Sequence, residues 1–280
     1  MSRPRWPGVV SLVVAALFVI GVVQSGLAHP GFVAAHPFNV AWIATAVALA
    51  TATFFLHRIA PPDRPRIALG AAARFAGFGA IGCVLAFTLQ GIVNPALARL
   101  LGPGAPGIPG YVLLGIGAAL CQTAGKWGAI AALHRVLRPA SPHDLIALGL
   151  GVGLGFAAAE IVVTGQHPLA REAVLVPPAF WSLFERATAA GFHVFSGVLL
   201  AVGVEQGLRG IPWITAVVLL HSLLDGLAGA AGTGLVPLSL PVLELIFLVV
   251  AIDTWLLSLL ATRPLPPRSS AAAPLAPAGA

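Results

Sequence analysis

The feature that most constrains this chain is a succession of apolar runs, each near 20 residues long, separated by helix breakers. A helix needs about 20 apolar residues to cross the hydrocarbon core of a bilayer. Eight runs reach that length, at approximately 8–28, 38–56, 75–97, 110–133, 145–165, 179–204, 212–231 and 240–261. Between them stand PPDRP at 61–65, GPGAPGIPG at 102–110 and RPASPHD at 138–144, whose prolines and glycines interrupt helices. Asn94-Pro95 reads as the end of the third run. The expectation is an all-α polytopic integral membrane helix bundle of about eight transmembrane helices, one domain over 1–262. No connection is long enough for a soluble domain. The Pro/Ala/Ser-rich stretch 263–280 reads as a disordered tail.

Composition excludes a soluble enzyme carrying one anchor, since 58% of the residues are hydrophobic and only 9% charged, against about 25% charged in a soluble domain. The net charge of +6 comes from basic residues standing singly between apolar runs. That is a topology signal, so the partner is the lipid bilayer and no nucleic acid is implied. With a cytoplasmic N-terminus, eleven arginines fall inside: Arg3, Arg5, Arg58, Arg64, Arg66, Arg74, Arg135, Arg138, Arg209, Arg263 and Arg268. Only Arg99 and Arg171 fall outside, and both termini are then cytoplasmic. MSRPRW followed by an apolar run and Ser25-Gly-Leu-Ala28 reads as an uncleaved first helix; cleavage as a signal peptide would leave seven spans. Cys83 and Cys121 lie inside apolar runs and read as small packing residues.

Against this background, ionisable side chains within the runs stand out. Glu160 lies in the fifth, Glu185, Arg186 and His193 in the sixth, His221 and Asp225 in the seventh, and Lys126 in the fourth. A charge at the bilayer centre costs about 2.5–3.5 kcal/mol on insertion scales, so each needs compensation inside the bundle. Alternating span directions put His193 and His221 near mid-membrane. Asp225 lies one turn outward, Glu160 in the outer half, and Glu185 with Arg186 one to two turns below the outer surface. Gln122 lies near the middle, with Lys126 one turn further in. His221 and Asp225 share a helix face at i,i+4, as do Gln122 and Lys126. Arg186 and His193 share one at i,i+7, while Glu185 is about 80° away from His193. The fifth run carries Gly149, Gly151, Gly153 and Gly155, then Ala157 to Ala159. Small residues allow close helix approach, so this helix is expected at the bundle centre.

Three readings of the polar residues remain open. His193, His221 and a carboxylate from Glu160, Glu185 or Asp225 could hold a catalytic zinc ion. Lys126 and Arg186 could instead balance the carboxylates in a structural network. The same groups could form a proton or ion pathway. Glu244 and Asp253, nine residues apart in the eighth run, could pair with Lys126 or Arg186. His29, His36, His57, His134, His143 and His167 fall in loops or near span ends and read as solvated. Trp181 and Trp213 read as interfacial anchors.

Several of these residues, in this order, resemble the YhfC-type intramembrane metalloproteases, relatives of PrsW and of the CAAX-protease and bacteriocin-processing superfamily. The matching positions are Glu185-Arg186 followed by Phe192-His193-Val194-Phe195-Ser196-Gly197, His221-Ser-Leu-Leu-Asp225, and the glycine-rich run ending at Glu160. The resemblance spans roughly 110–230. It implies a bacterial inner-membrane hydrolase with Zn2+ held by His193, His221, Glu160 and Asp225, and a membrane-protein or peptide substrate. It further implies that Glu185 is the nearest base and that Arg186 and Lys126 neutralise developing charge. Two positions depart from the family. Its Glu-Glu-x-Gly-Arg pattern is here Gln122-Thr123-Ala124-Gly125-Lys126, and Phe156 replaces its histidine four residues before the glutamate. These departures suit a family member that binds membrane partners without cutting them, or a proton- or ion-coupled transporter.

Overall fold

The computed structural model describes residues 5–28, 54, 67–102, 107–165 and 179–263. Its elements are α1 (Trp6–Ala28), α2 (Leu69–Ala73), α3 (Ala76–Leu101), α4 (Ile108–Leu137), α5 (Pro142–Gly165) and α6 (Ala179–Gln206). A 3₁₀ turn (Gly207–Gly210) then leads into α7 (Ile211–Gly232), and α8 (Leu240–Ala261) follows. No strand occurs among the described residues. Five helical stretches are long and apolar enough to cross a membrane: Ala76–Leu101, Ile108–Leu137, Pro142–Val163, Phe184–Gly232 and Leu240–Ala261. The 49-residue stretch Phe184–Gly232 bends back at the 3₁₀ turn, because Gly210 meets the backbone of Gly203 and His221 lies beside His193. The third to eighth apolar runs thus correspond to α3 to α8. Apart from Phe54, the second run at 38–56 lies outside the described residues, as do Arg171 and the tail beyond Arg263.

Local chemistry explains the helix ends. Pro109, Pro212 and Pro241 sit in the first turns of α4, α7 and α8, where a missing N–H costs nothing. At the start of α5, Ser141 Oγ accepts from the Asp144 N–H at 3.2 Å and donates to Asp144 Oδ2 at 2.9 Å. This reciprocal arrangement is close to a capping box. One expectation is corrected: α3 does not stop at Asn94-Pro95 but continues through Pro95 to Leu101. Proline removes only one rung of the helical ladder, and membrane helices tolerate that loss where neighbours re-satisfy the backbone.

Small residues set the packing. Within α5, 83% of the apolar window is buried, as in the Phe184–Gly232 stretch that contains α6, against 33% for α3 and α8, so α5 and α6 lie at the bundle centre. One face of α5 packs antiparallel on α6. A Cβ added at Gly149 would strike the Gly197 carbonyl, and one at Gly153 the His193 carbonyl. Its other face packs on α2 and α3, where a Cβ at Gly155 would overlap the Ala76 carbonyl oxygen. Contacts of this kind put backbone against backbone and replace the hydrophobic effect as the source of specificity in lipid. In turn α4 packs on α3 through Gly125 and Gly82, and on α7 through Gly115 and Gly226. α8 lies along α6, and α1 leans on α3, where Ser11 Oγ accepts from the Gly77 N–H at 2.9 Å. The registers place Lys126, His193, His221 and Glu160 around one interior point.

Candidate polar core

His193 is the centre of the site. Its Nε2 is 2.6 Å from Glu160 Oε2 on α5, and its Nδ1 is 2.9 Å from Lys126 Nζ on α4. Lys126 Nζ also donates to Ser196 Oγ at 2.9 Å, and Ser196 Oγ donates to the His193 carbonyl oxygen at 3.1 Å. An ammonium has donors only. Its bond to Nδ1 therefore puts the imidazole proton on Nε2, pointing at the Glu160 carboxylate. A neutral ring then bridges a cation and an anion, and each member of the chain is satisfied. Lys126 and Ser196 are fully buried, His193 is 2% exposed and Glu160 8%.

Aromatic rings complete the lysine's surroundings. Lys126 Nζ is 5.1 Å from the centre of the Phe156 ring and 5.2 Å from that of Phe192. Ring faces attract a cation, most strongly when it is desolvated. Phe156 also lies 4.9 Å from the His193 ring. Phe156 is thus a wall of the lysine's cage.

The other expected site residues gather nearby without joining this chain. His221 is stacked edge-on beside His193, ring centres 5.3 Å apart, and packs on Phe192 at 4.9 Å. Its Nε2 is 3.6 Å from Asp225 Oδ2, beyond hydrogen-bond reach. Among the described residues, His221 Nδ1 and Asp225 Oδ2 have no hydrogen-bond partner, nor do the buried Gln122 Oε1 and Thr123 Oγ1. Gln122 Nε2 makes one long bond, 3.4 Å, to Gln90 Oε1. Glu185 is bound by its sequence neighbour Arg186, whose Nε donates at 2.7 Å and whose second guanidinium nitrogen meets the other carboxylate oxygen. Arg186 is also within electrostatic reach of Glu160, Asp225 and Glu244. Glu244 is buried with Oε2 unbonded, while Asp253 faces outward.

Zinc would require imidazole lone pairs and carboxylates converging on one point. The only lone pair of a neutral His193 is on Nδ1, and it faces the Lys126 ammonium. Among the described residues no group of three His, Cys, Asp or Glu side chains is set to hold a metal ion. The expected ligands His193, His221, Glu160 and Asp225 come together as neighbours, and as arranged they do not fit a zinc ion.

Sequence reasoning missed Ser196 as a participant, although its i,i+3 spacing from His193 puts it on the same face. It also read His134 as solvated. In the structure His134, in the last turn of α4, has Nε2 2.6 Å from Glu205 Oε2 on α6. No local signal links residues so far apart in the chain.

The fold and the core define the chain as an all-helical membrane protein with a charged network sealed inside its bundle. Comparisons with protein-family models, with curated proteins and with solved structures find no match.

Proposed function

We propose that the chain is a proton-coupled transporter built on a YhfC-like scaffold. The observation that carries this reading is the unbroken hydrogen-bonded chain Ser196–Lys126–His193–Glu160. A proton can pass from Lys126 Nζ to His193 Nδ1 while the Nε2 proton passes to Glu160. The ring changes tautomer and no charge is created: an ammonium and a carboxylate become an amine and a carboxylic acid. Imidazoles and carboxylates buried in membrane bundles commonly serve as proton relays. In the accompanying topology eight spans cross a bacterial inner membrane with both termini cytoplasmic. Glu160, Arg186 and Asp225 lie towards the outer side and the Gly207–Gly210 hairpin towards the cytoplasm.

The test is proton flux in proteoliposomes loaded with a pH-sensitive dye, under an imposed pH gradient. Wild type is expected to dissipate the gradient, with Lys126→Met and Glu160→Gln reducing the rate at least tenfold. Wild-type vesicles as tight as protein-free ones, with or without candidate co-substrates, would sink the reading.

A metallopeptidase is the second reading, favoured by Nδ1 of His221, which lies beside His193, and by Asp225 Oδ2, both buried and without a hydrogen-bond partner among the described residues. It needs Lys126 to swing away from His193. About one zinc per purified chain, lost in both His193→Ala and His221→Ala, would establish it in place of transport. A chain with neither zinc nor flux would be left as a non-cutting binder of membrane partners.

A further inference from the structure

A second pair of titratable groups stands at the hairpin end of the bundle, apart from the core. His134 Nε2 and Glu205 Oε2 are 2.6 Å apart, and the two side chains are 21% and 24% exposed. Lys126 is two helical turns from His134 on α4, about 12 Å along the axis at 1.5 Å per residue. Ser196 and Glu205 are separated by a similar length of α6. The interval is apolar along both helices. Residues 127–133 and 197–204 contain no charged or hydroxyl side chain, and Ile130, Leu133, Val198, Leu199 and Val202 are buried there in one apolar cluster. Along α4 and α6 the described residues therefore offer a proton at Lys126 no hydrogen-bonded route to the hairpin end unless the two helices part to admit water. Among the described residues near that end, His134 ties α4 to α6.

We propose that His134 and Glu205 form a second proton-binding site that clasps α4 to α6 and closes the hairpin end of the polar core. Protonated, His134 forms an ion pair with Glu205 and the end is held shut. Deprotonated, it keeps only a hydrogen bond to the carboxylate without the attraction of opposite charges, and the helices part more readily. Imidazole is the side chain that changes charge between about pH 5 and 8. Among the described residues, the other charged groups at this end are Arg135 and Arg138 on α4 and Arg209 in the 3₁₀ turn, and Glu205 has a further interaction besides that with His134. His143 and Asp144 are on α5, with Arg74 3.9 Å from Asp144, and Arg263 follows α8. Arg135, Arg138, Arg209 and Arg263 are exposed to solvent, which weakens their influence on the pair. The purpose of the clasp rests on the transport reading; its existence does not.

The experiment labels an Ile130→Cys thiol, in a Cys83→Ala, Cys121→Ala background in nanodiscs, with a water-soluble maleimide at pH 6 and pH 8. Rates are normalised to the exposed Val136→Cys control, which removes the intrinsic pH dependence of the thiol. The normalised rate should rise up to about fivefold from pH 6 to pH 8, the range an exposed ion pair supports. His134→Gln and Glu205→Gln should each give the higher rate at both pH values. Equal normalised rates at the two pH values with the pair intact, or a pH effect surviving both substitutions, would overturn the proposal. Hydrogen exchange of residues 127–134 in the unsubstituted chain, corrected for intrinsic rates, reads the same opening without any substitution. Flux is scored separately. A pH-dependent thiol in a chain that passes no protons defeats the transport reading alone, and flux with a pH-independent thiol defeats the clasp alone.

Discussion

Lys126 and Glu160, on different helices, are joined through one imidazole: Lys126 Nζ is 2.9 Å from Nδ1 of His193, and Glu160 Oε2 is 2.6 Å from its Nε2. Removing either charge leaves the other buried and uncompensated, which costs about 3–5 kcal/mol in comparable pairs. Lys126→Met and Glu160→Gln should each destabilise the folded protein by that order in detergent unfolding. The double substitution should cost clearly less than the sum. Additive losses would mean that the two charges do not feel each other through the ring.

Phe156 occupies a place from which an imidazole would reach the neighbourhood of His193. Phe156→His combined with Lys126→Gln removes the cation and supplies a further nitrogen ligand. That variant should bind close to one zinc per chain by metal analysis after controlled exposure, with Glu160 and His193 as the companion ligands. A variant that stays folded and metal-free would show that more than these two positions separates the core from a metal site.

Helix α5 should be intolerant of added volume. Gly155→Val places side-chain atoms where the Ala76 carbonyl oxygen stands, and overpacking of this kind costs about 1–3 kcal/mol or more. At Gly128 a Cβ would meet nothing within 4 Å, so Gly128→Ala should be neutral or stabilising by up to about 1 kcal/mol. Thermal melting of the two variants side by side checks the contrast. Equal melting temperatures would mean that α5 does not pack on α3 as described.

Ser196 holds Lys126 in place and is not required to carry charge. Ser196→Ala removes one interhelical hydrogen bond, worth about 0.6–1.7 kcal/mol inside a membrane. It should slow proton flux by less than Lys126→Met does. A complete loss of flux would instead make the hydroxyl an obligatory member of the relay.

The helices were legible because lipid leaves few alternatives. Apolar runs near 20 residues predicted α3 to α8, with ends misplaced by a few residues where Pro95 continued a helix and Ser141 began one. Alternating span directions put His193, His221 and Glu160 at overlapping depths, and i,i+4 spacing put His221 and Asp225 on one face, but whether these groups met depended on helix packing, which the sequence does not show. What could not be read was who bonds to whom. Whether Lys126 or a metal ion takes the Nδ1 position depends on the rotation of α4 about its own axis, which backbone contacts such as Gly125 against Gly82 of α3 help to set. The His134–Glu205 pair was invisible for the same reason. Each residue alone looks like an ordinary polar group at the end of a span.

The cage formed by Phe156 and Phe192 around Lys126 has one further consequence. The positive charge beside His193 belongs to the chain itself and arrives with every copy synthesised. No chelator can strip it, no competing ion can displace it, and no change in nutrient supply can leave it half-filled. The nitrogen beside His193 is covalently part of α4, whether it holds its proton or passes it on.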